Sequence, residues 1–280
     1  MYKKTIENII NLIVKKHSSE KCSMVATAHS HGSAVTEGTD EDGYRTLIYD
    51  DGTEIHFNSN GDIAHFVNSD GVEMDYLFDD SYDFFESQKE AIIDKYGDEG
   101  YDFLKKYSNM YASMEGIYMN RYLRGLISMD EFEELVRGFH NQKSDDDFGF
   151  LWGNHDRFVE MLSSMDLPNE NFYSVRVVDR LHDNDGVNKA IVSDKAHVNS
   201  TSGADMDDLG IFADTEFGWK IITDFSGSSN VKGLFLGNPL MDKRGRDWEM
   251  EVNHAPGQKF ERVLIDEENK IIVQRPYKNP

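Results

Sequence analysis

The 280-residue chain is 39% hydrophobic, enough for one large core or for one core with a smaller appendage. With 52 acidic against 29 basic residues its formal net charge is -23, which excludes the basic footprint of a nucleic-acid binder and an affinity for anionic membrane surfaces. Its single cysteine, Cys22, excludes an internal disulfide framework and suits a reducing compartment.

The chain opens on MYKKTIENIINLIVKKHSS, where Ile6, Ile9, Ile10, Ile13 and Val14 fall on one helical face. The apolar stretch is broken by Asn8 and Asn11, so it reads as an amphipathic docking helix and not as a signal peptide. No apolar run is long enough to span a bilayer. From about residue 43 to 78 alternating apolar stretches are punctuated by Asp-Gly at 51–52, Asn-Gly at 60–61 and Asp-Gly at 70–71. These dipeptides predict type I′ hairpins and hence a small antiparallel meander.

From Ser81 the period becomes helical, with breaks expected near Gly97 and Gly100. In SMDEFEELVRGF, Ser128 and Glu131 form a capping box, and Phe132, Leu135, Val136 and Phe139 make a buried stripe. QKSDDDFG reads as a polar loop, followed by a helix over about 156–165 with Phe158, Leu162 and Met165 inward. Beyond Leu167 short β runs follow one another: FYSVRVV, KAIVS, FGWKIIT, VKGLFLG, EMEV, KFERVLI and KIIVQR. Helices first and strands after is an α+β arrangement.

Three stretches of this strand-rich half carry chemistry. Arg176 lies inside a strand in LPNENFYSVRVV; HVNSTSG contains Ser200, Thr201 and Ser202; and DWEMEVNHAPGQKFERV contains Glu249 and Glu251, which a strand projects to one face. An Arg strand, then Ser-Thr-Ser, then Glu-x-Glu resembles the Arg-Ser-Glu class of mono-ADP-ribosyltransferases found among bacterial binary toxins and bacteriophage enzymes. The stretch YMNRYLRGL, with Asn120 and Arg124, is similar to the family's helical Y…N…LRG segment, and the Glu-x-Glu ending is similar to its E-x-E-V…P-x-G-x-x-F pattern. The resemblance covers about residues 86–275. Val177 after Arg176, Asn199 before Ser200 and Gly116 four residues before Asn120 depart from the commoner pattern.

The resemblance implies helices packed on a two-sheet, mainly antiparallel β core, with NAD in the cleft between the sheets. It implies a catalytic domain over 81–280, preceded by a helix-plus-meander region over 1–80 of unknown role. The implied activity is NAD-dependent transfer of ADP-ribose to arginine side chains of a target protein with release of nicotinamide. In the implied roles Glu251 steadies the positive charge on the ribose, Glu249 receives the incoming guanidinium, Ser200 orients Glu251, and Arg176 holds an NAD phosphate. Thr201, Ser202, Asn120 and Arg124 complete the NAD contacts, while Trp248 and Arg246 meet the acceptor protein. No metal is implied. An effector acting in the cytoplasm, including that of a host cell, fits the lone cysteine and the absence of a signal peptide. Two alternatives stay open: an NAD glycohydrolase on the same scaffold, and a non-enzymatic virion or binding protein that keeps the fold.

Each residue has a plainer reading. Two glutamates on a strand suit a solvated face, Arg176 suits a structural ion pair, Trp248 suits a core position, and Asn120 and Arg124 suit a helix end. WGNHD (152–156) resembles a metallophosphatase motif, but the further His and Asp ligands that chemistry needs are missing, so a turn capping the next helix is expected there. His29 and His31 are too few for a structural metal site, and DEDG and SDDDFG lack calcium-loop spacing.

Overall fold

A computed structural model describes residues 30–31, 34–59, 61, 63–74, 81–111, 114–139, 144–167, 171–178, 190–193, 198–201, 218–226, 231–236 and 251–277. The amphipathic segment expected near the N-terminus lies outside them. The order of elements is α+β, as expected: a short strand and a five-stranded meander, then helices, then strands.

The meander runs β2 (Thr36–Thr39), β3 (Arg45–Ile48), β4 (Glu54–Phe57), β5 (Ile63–Val67) and β6 (Glu73–Met74), each pairing antiparallel with the next. Its Asp-Gly turns are not the expected type I′, which needs φ > 0 at both central residues, and Asn60 of the expected Asn-Gly turn lies outside the described residues. Gly52 and Gly71 take φ of 88° and 72°, but the only non-glycine at positive φ among the described residues is Lys270. The turns are three-residue loops instead: Gly52 N–H donates to Tyr49 O while Tyr49 N–H donates to Thr53 O, and the same pair of bonds recurs at 68–72 and 40–44. Asp40, Asp51 and Asn68 side chains accept from backbone N–H groups two or four residues on, which fixes each loop.

One face of the meander is apolar and covers the larger sheet. Leu47, Tyr49, Ile55, Phe57, Ile63, Phe66 and Met74 share a core with Tyr173, Val175, Ile222, Leu264, Ile271 and Val273. Polar ties reinforce the joint. Tyr49 Oη donates to Asp266 Oδ2 at 2.9 Å, and Asn68 Nδ2 donates to Asp224 Oδ2 at 3.2 Å and Ser226 Oγ at 2.9 Å. Burial, and next the Asp266 carboxylate, push the Tyr49 phenol well above its ordinary range.

The larger sheet contains β1 (Ser30–His31), β7 (Tyr173–Val178), β8 (Ile191–Ser193), β9 (Val198–Thr201), β10 (Trp219–Asp224), β11 (Gly233–Leu236), β12 (Glu251–His254), β13 (Lys259–Asp266) and β14 (Ile271–Pro276). Its order is β1-β13-β14-β10-β7-β9-β12-β11, with β8 on β13. Only β1 with β13 and β10 with β14 run parallel. Among the described residues Val175 pairs with Thr201 between β7 and β9. β9, β12 and β11 thus continue the mainly antiparallel sheet beyond β7.

The helices are α1 (Ser81–Tyr111), α2 (Met114–Leu123), α3 (Met129–Phe139) and α4 (Ser144–Ser164). Gly97 breaks α1 with φ 70° and ψ 177°, whereas Gly100 stays helical. The expected stripe holds in part: Phe132, Val136, Phe158, Leu162 and Met165 join one core with Leu104, Tyr107 and Leu151, whereas Leu135 is half-buried and lines a groove, and the side chain of Phe139 lies outside the described set. Leu234 and Ala255 carry that core onto β11 and the end of β12. The expected loop at QKSDDDFG and the turn at WGNHD are both overturned. Helix α4 begins at Ser144 and runs straight through Trp152–Asp156, and Asn154 Nδ2 donates back to Phe150 O at 2.7 Å. The aspartates 145–147 fall in its first turn, where the helix dipole favours negative charge.

The capping box forms as read. Ser128 N–H and Oγ donate to Glu131 Oε2 at 2.8 and 2.9 Å, and Glu131 N–H returns a bond to Ser128 Oγ at 3.2 Å. These bonds hold the Glu131 carboxyl below its usual range. Ser128→Ala is expected to cost about 1 kcal/mol, measurable as a lower denaturation midpoint with an unchanged m-value.

Candidate active site

Three segments far apart in sequence become neighbours in space. β7 carries Arg176, β9 carries Ser200 and Thr201, and β12 begins at Glu251; they lie side by side in the order β7-β9-β12. β7 and β12 are buried on both faces, and the antiparallel ladder fixes the register of the three strands. Glu251 is opposed to Thr201, and Ser200 to Val252. Val175 is opposed to Thr201 on the other side, so Arg176 falls on the face of Ser200. Glu251 also opposes Leu236 of β11. Thr201 closes β9, Leu236 closes β11 and Glu251 opens β12, all at the same end of the sheet.

Glu249, Ser202, Trp248 and Arg246 lie outside the described residues. Arg176 is half-buried and opposed to Ile221 of β10. Asn120 is buried and Arg124 half-buried at the C-terminal end of α2, in the helical layer. That end is shaped by Gly125 at φ 74°, with Gly125 N–H donating to Tyr122 O and Leu126 N–H to Arg121 O. The glycine of the LRG stretch therefore has a structural reason of its own.

Two residues beside Glu251 went unnoticed in the sequence. Asn253 and His254 are 0% and 1% exposed in β12. His254 lies on the opposite face of the strand from Asn253, stacked on Phe225 with ring centroids 5.4 Å apart and edge-on to Phe260 at 5.0 Å. Burial first, and the Arg176 cation second, push His254 down to about 3. No signal in the sequence pointed to this burial: in EVNHAPG two polar residues stand where an interior strand normally carries apolar ones.

The sign of the His254 shift sets a pH dependence. An unfolded histidine binds a proton near pH 6.5, and the folded chain refuses it until about pH 3. The unfolded state therefore gains protons first as the pH falls, and stability is lost between those values. The slope from this one group is about 1.4 kcal/mol per pH unit. His254→Phe is expected to flatten urea-melt stability between pH 6.5 and 4 relative to the parent chain.

A groove of 620 Å³ lies elsewhere, between α2 and α3, lined by Tyr118, Arg121, Ile127, Glu131, Glu134, Leu135 and Gly138. Among the described residues no group of three or more His, Cys, Asp or Glu side chains is placed to hold a metal ion. No described helix is long and apolar enough to cross a membrane.

No protein-family model matches the chain, and no curated protein matches it in sequence. Among solved structures it is similar to C3stau2 of S. aureus, solved with NAD, at 12% identity over 63% of this chain and 95% of that one, with a TM-score of 0.34. It is also similar to the ADP-ribosyltransferase Vis of Vibrio splendidus, solved with agmatine, at 15% identity over 71% and 83% of the two chains and a TM-score of 0.39. A third is the type III effector XopAI of Xanthomonas axonopodis pv. citri, at 15% identity, 69% and 87% coverage and a TM-score of 0.31. At these values no assignment of fold or activity is drawn from them.

Proposed function

We propose that the chain is an NAD-dependent mono-ADP-ribosyltransferase of the Arg-Ser-Glu class that modifies arginine side chains of a target protein. One observation carries this reading: the Arg, Ser-Thr and Glu segments, at 176, 200–201 and 251, form three adjacent strands with Glu251 in direct register with Thr201. In this reading the catalytic domain spans 81–280 and NAD is a substrate.

The reaction breaks the bond between nicotinamide and C1′ of its ribose, and the electron pair leaves with the nicotinamide. Positive charge spreads over C1′ and the ring oxygen, as in glycoside cleavage. A fixed carboxylate from Glu251 steadies that charge best where water is excluded. The arginine acceptor attacks C1′ through a guanidinium nitrogen, and Glu249 pairs with that guanidinium and takes the released proton. Arg176 pairs with a phosphate of NAD. Thr201, in register with Glu251, orients the carboxylate, and Ser200 and Ser202 complete the contacts to NAD. Trp248 and Arg246 precede the Glu pair and meet the acceptor, and Asn120 and Arg124 contribute from the helical layer.

Incubation of the full chain with NAD labelled in the adenylate half, together with a cell lysate, tests the proposal. Label on protein at arginine is the expected result. Free labelled ADP-ribose alone would assign a glycohydrolase. Intact NAD, with no rise of the thermal midpoint on adding it, would assign a binding protein without activity.

A further inference from the structure

Asn253 has no role in the reaction just described, and its surroundings give it a structural cost. Its side chain is 0% exposed, and neither Oδ1 nor Nδ2 has a hydrogen-bond partner. An amide sealed from water with nothing to bond is destabilising, and native strands seldom keep one without a reason. Its position on β12 is also tightly set. Its carbonyl oxygen lies where a Cβ at Gly233 would stand, so β11 passes against it and glycine is required there. Leu234 is the residue opposite on β11, and Ala255 is two residues further along the same face, both in the helical core. Nothing apolar in that setting needs an amide.

One neighbour does. Asn253 is two residues after Glu251, so both belong to the same face of β12. Along a strand such residues stand about 6.6 Å apart, a gap that a glutamate and an asparagine side chain bridge together. We propose that Asn253 is a positioning residue for Glu251: its Nδ2–H donates to the Glu251 carboxylate when substrate occupies the site. The donor is held ready and desolvated in the free chain, and the bond closes in the complex, as catalytic hydrogen bonds commonly do. A buried donor favours the ionised carboxylate and restricts its rotamers, both of which serve the developing ribose cation. The inference rests on the proposed transferase reading and adds a residue to it.

Asn253→Leu tests it, with NAD hydrolysis and transfer followed on the full chain. Leucine is close to asparagine in size and removes the unpartnered amide, so the variant is expected to melt at the same or a higher temperature. The expected kinetic result is a fall of tenfold or more in kcat with KM for NAD within twofold, since an orienting bond made in the complex acts on the reacting geometry. If the leucine variant does not fold, Asn253→Val, which suits a strand, carries the same expectation. A raised melting temperature with kcat unchanged overturns the inference and leaves Asn253 a stability defect only. Glu251→Gln is run beside it. An inactive glutamine variant with a fully active leucine variant overturns this inference alone, whereas an active glutamine variant overturns the transferase reading and this inference together.

Discussion

Glu251→Gln is expected to abolish ADP-ribosyl transfer and NAD hydrolysis together, by about 10²–10³-fold or more in kcat. The substitution keeps the size of the side chain and the strand it begins, and removes only the charge. A neutral amide offers the ribose cation a dipole in place of a full negative charge. In a site shielded from water that exchange costs about 3–4 kcal/mol of transition-state stabilisation, the equivalent of the rate loss. Binding of NAD is expected to survive, because in the proposed roles phosphate pairing belongs to Arg176 and is made equally in the ground state. A thermal shift on NAD that persists in the dead variant would separate loss of chemistry from loss of the fold. Glu249→Gln gives the contrasting result: transfer to arginine falls while hydrolysis continues, because water needs no guanidinium partner. Full transfer by both variants on a protein substrate would overturn the assignment of roles.

Local rules of sequence made much of the scaffold legible. The capping box at Ser128 and Glu131 was readable because both partners lie within one turn of chain. The stripe through Phe158, Leu162 and Met165 was readable because a buried helix face repeats its period. What local rules missed has physical causes that are equally specific. The acidic run 145–147 looked like a loop, but it falls at the start of α4, and a helix's first turn favours acidic residues. Gly149 and Gly153 lie within α4, where Leu151, Phe158 and Leu162 bury enough apolar surface to override their poor helix propensity. The Asp-Gly turns were located correctly but given the wrong geometry, because a two-residue and a three-residue loop share the same glycine signal. That the meander lays Phe66 and Ile55 against Tyr173 and Ile222 is a long-range event no short window records.

The site divides in the same way. The order of Arg176, Ser200 and Glu251 along the chain, and the strand under each, were legible. Their register was not, because register is decided where strands from distant parts of the sequence meet. A one-residue offset moves a side chain to the other face, so motif order alone leaves the partner of Glu251 open among three successive hydroxyls. The burial of Asn253 and His254 was likewise invisible, since EVNHAPG is apolar only in its valine and alanine and gives no hint of an interior strand.

That register makes a distinguishing prediction for the hydroxyls. Thr201 is opposed to Glu251, whereas Ser200 is opposed to Val252 and shares its face with Arg176. Directly opposed residues have Cβ atoms about 4.5–5.5 Å apart, within reach of a hydroxyl and a carboxylate. Thr201→Val keeps the β-branched shape that the strand favours and removes only the oxygen. If Thr201 orients Glu251, the variant is expected to lose about 10²-fold in kcat with little change in KM, the size of effect that misplacing a reacting group produces. Ser200→Ala, on the face of Arg176, is expected to act chiefly on KM for NAD. The opposite outcome, a kcat loss in Ser200→Ala and a near-normal Thr201→Val, would mean that Glu251 takes its orientation from Ser200, as the family pattern implies, and that β9 and β12 pair one residue out of the register seen here. Measuring both variants on hydrolysis as well as transfer removes the acceptor from the comparison, because both effects act before the guanidinium is engaged.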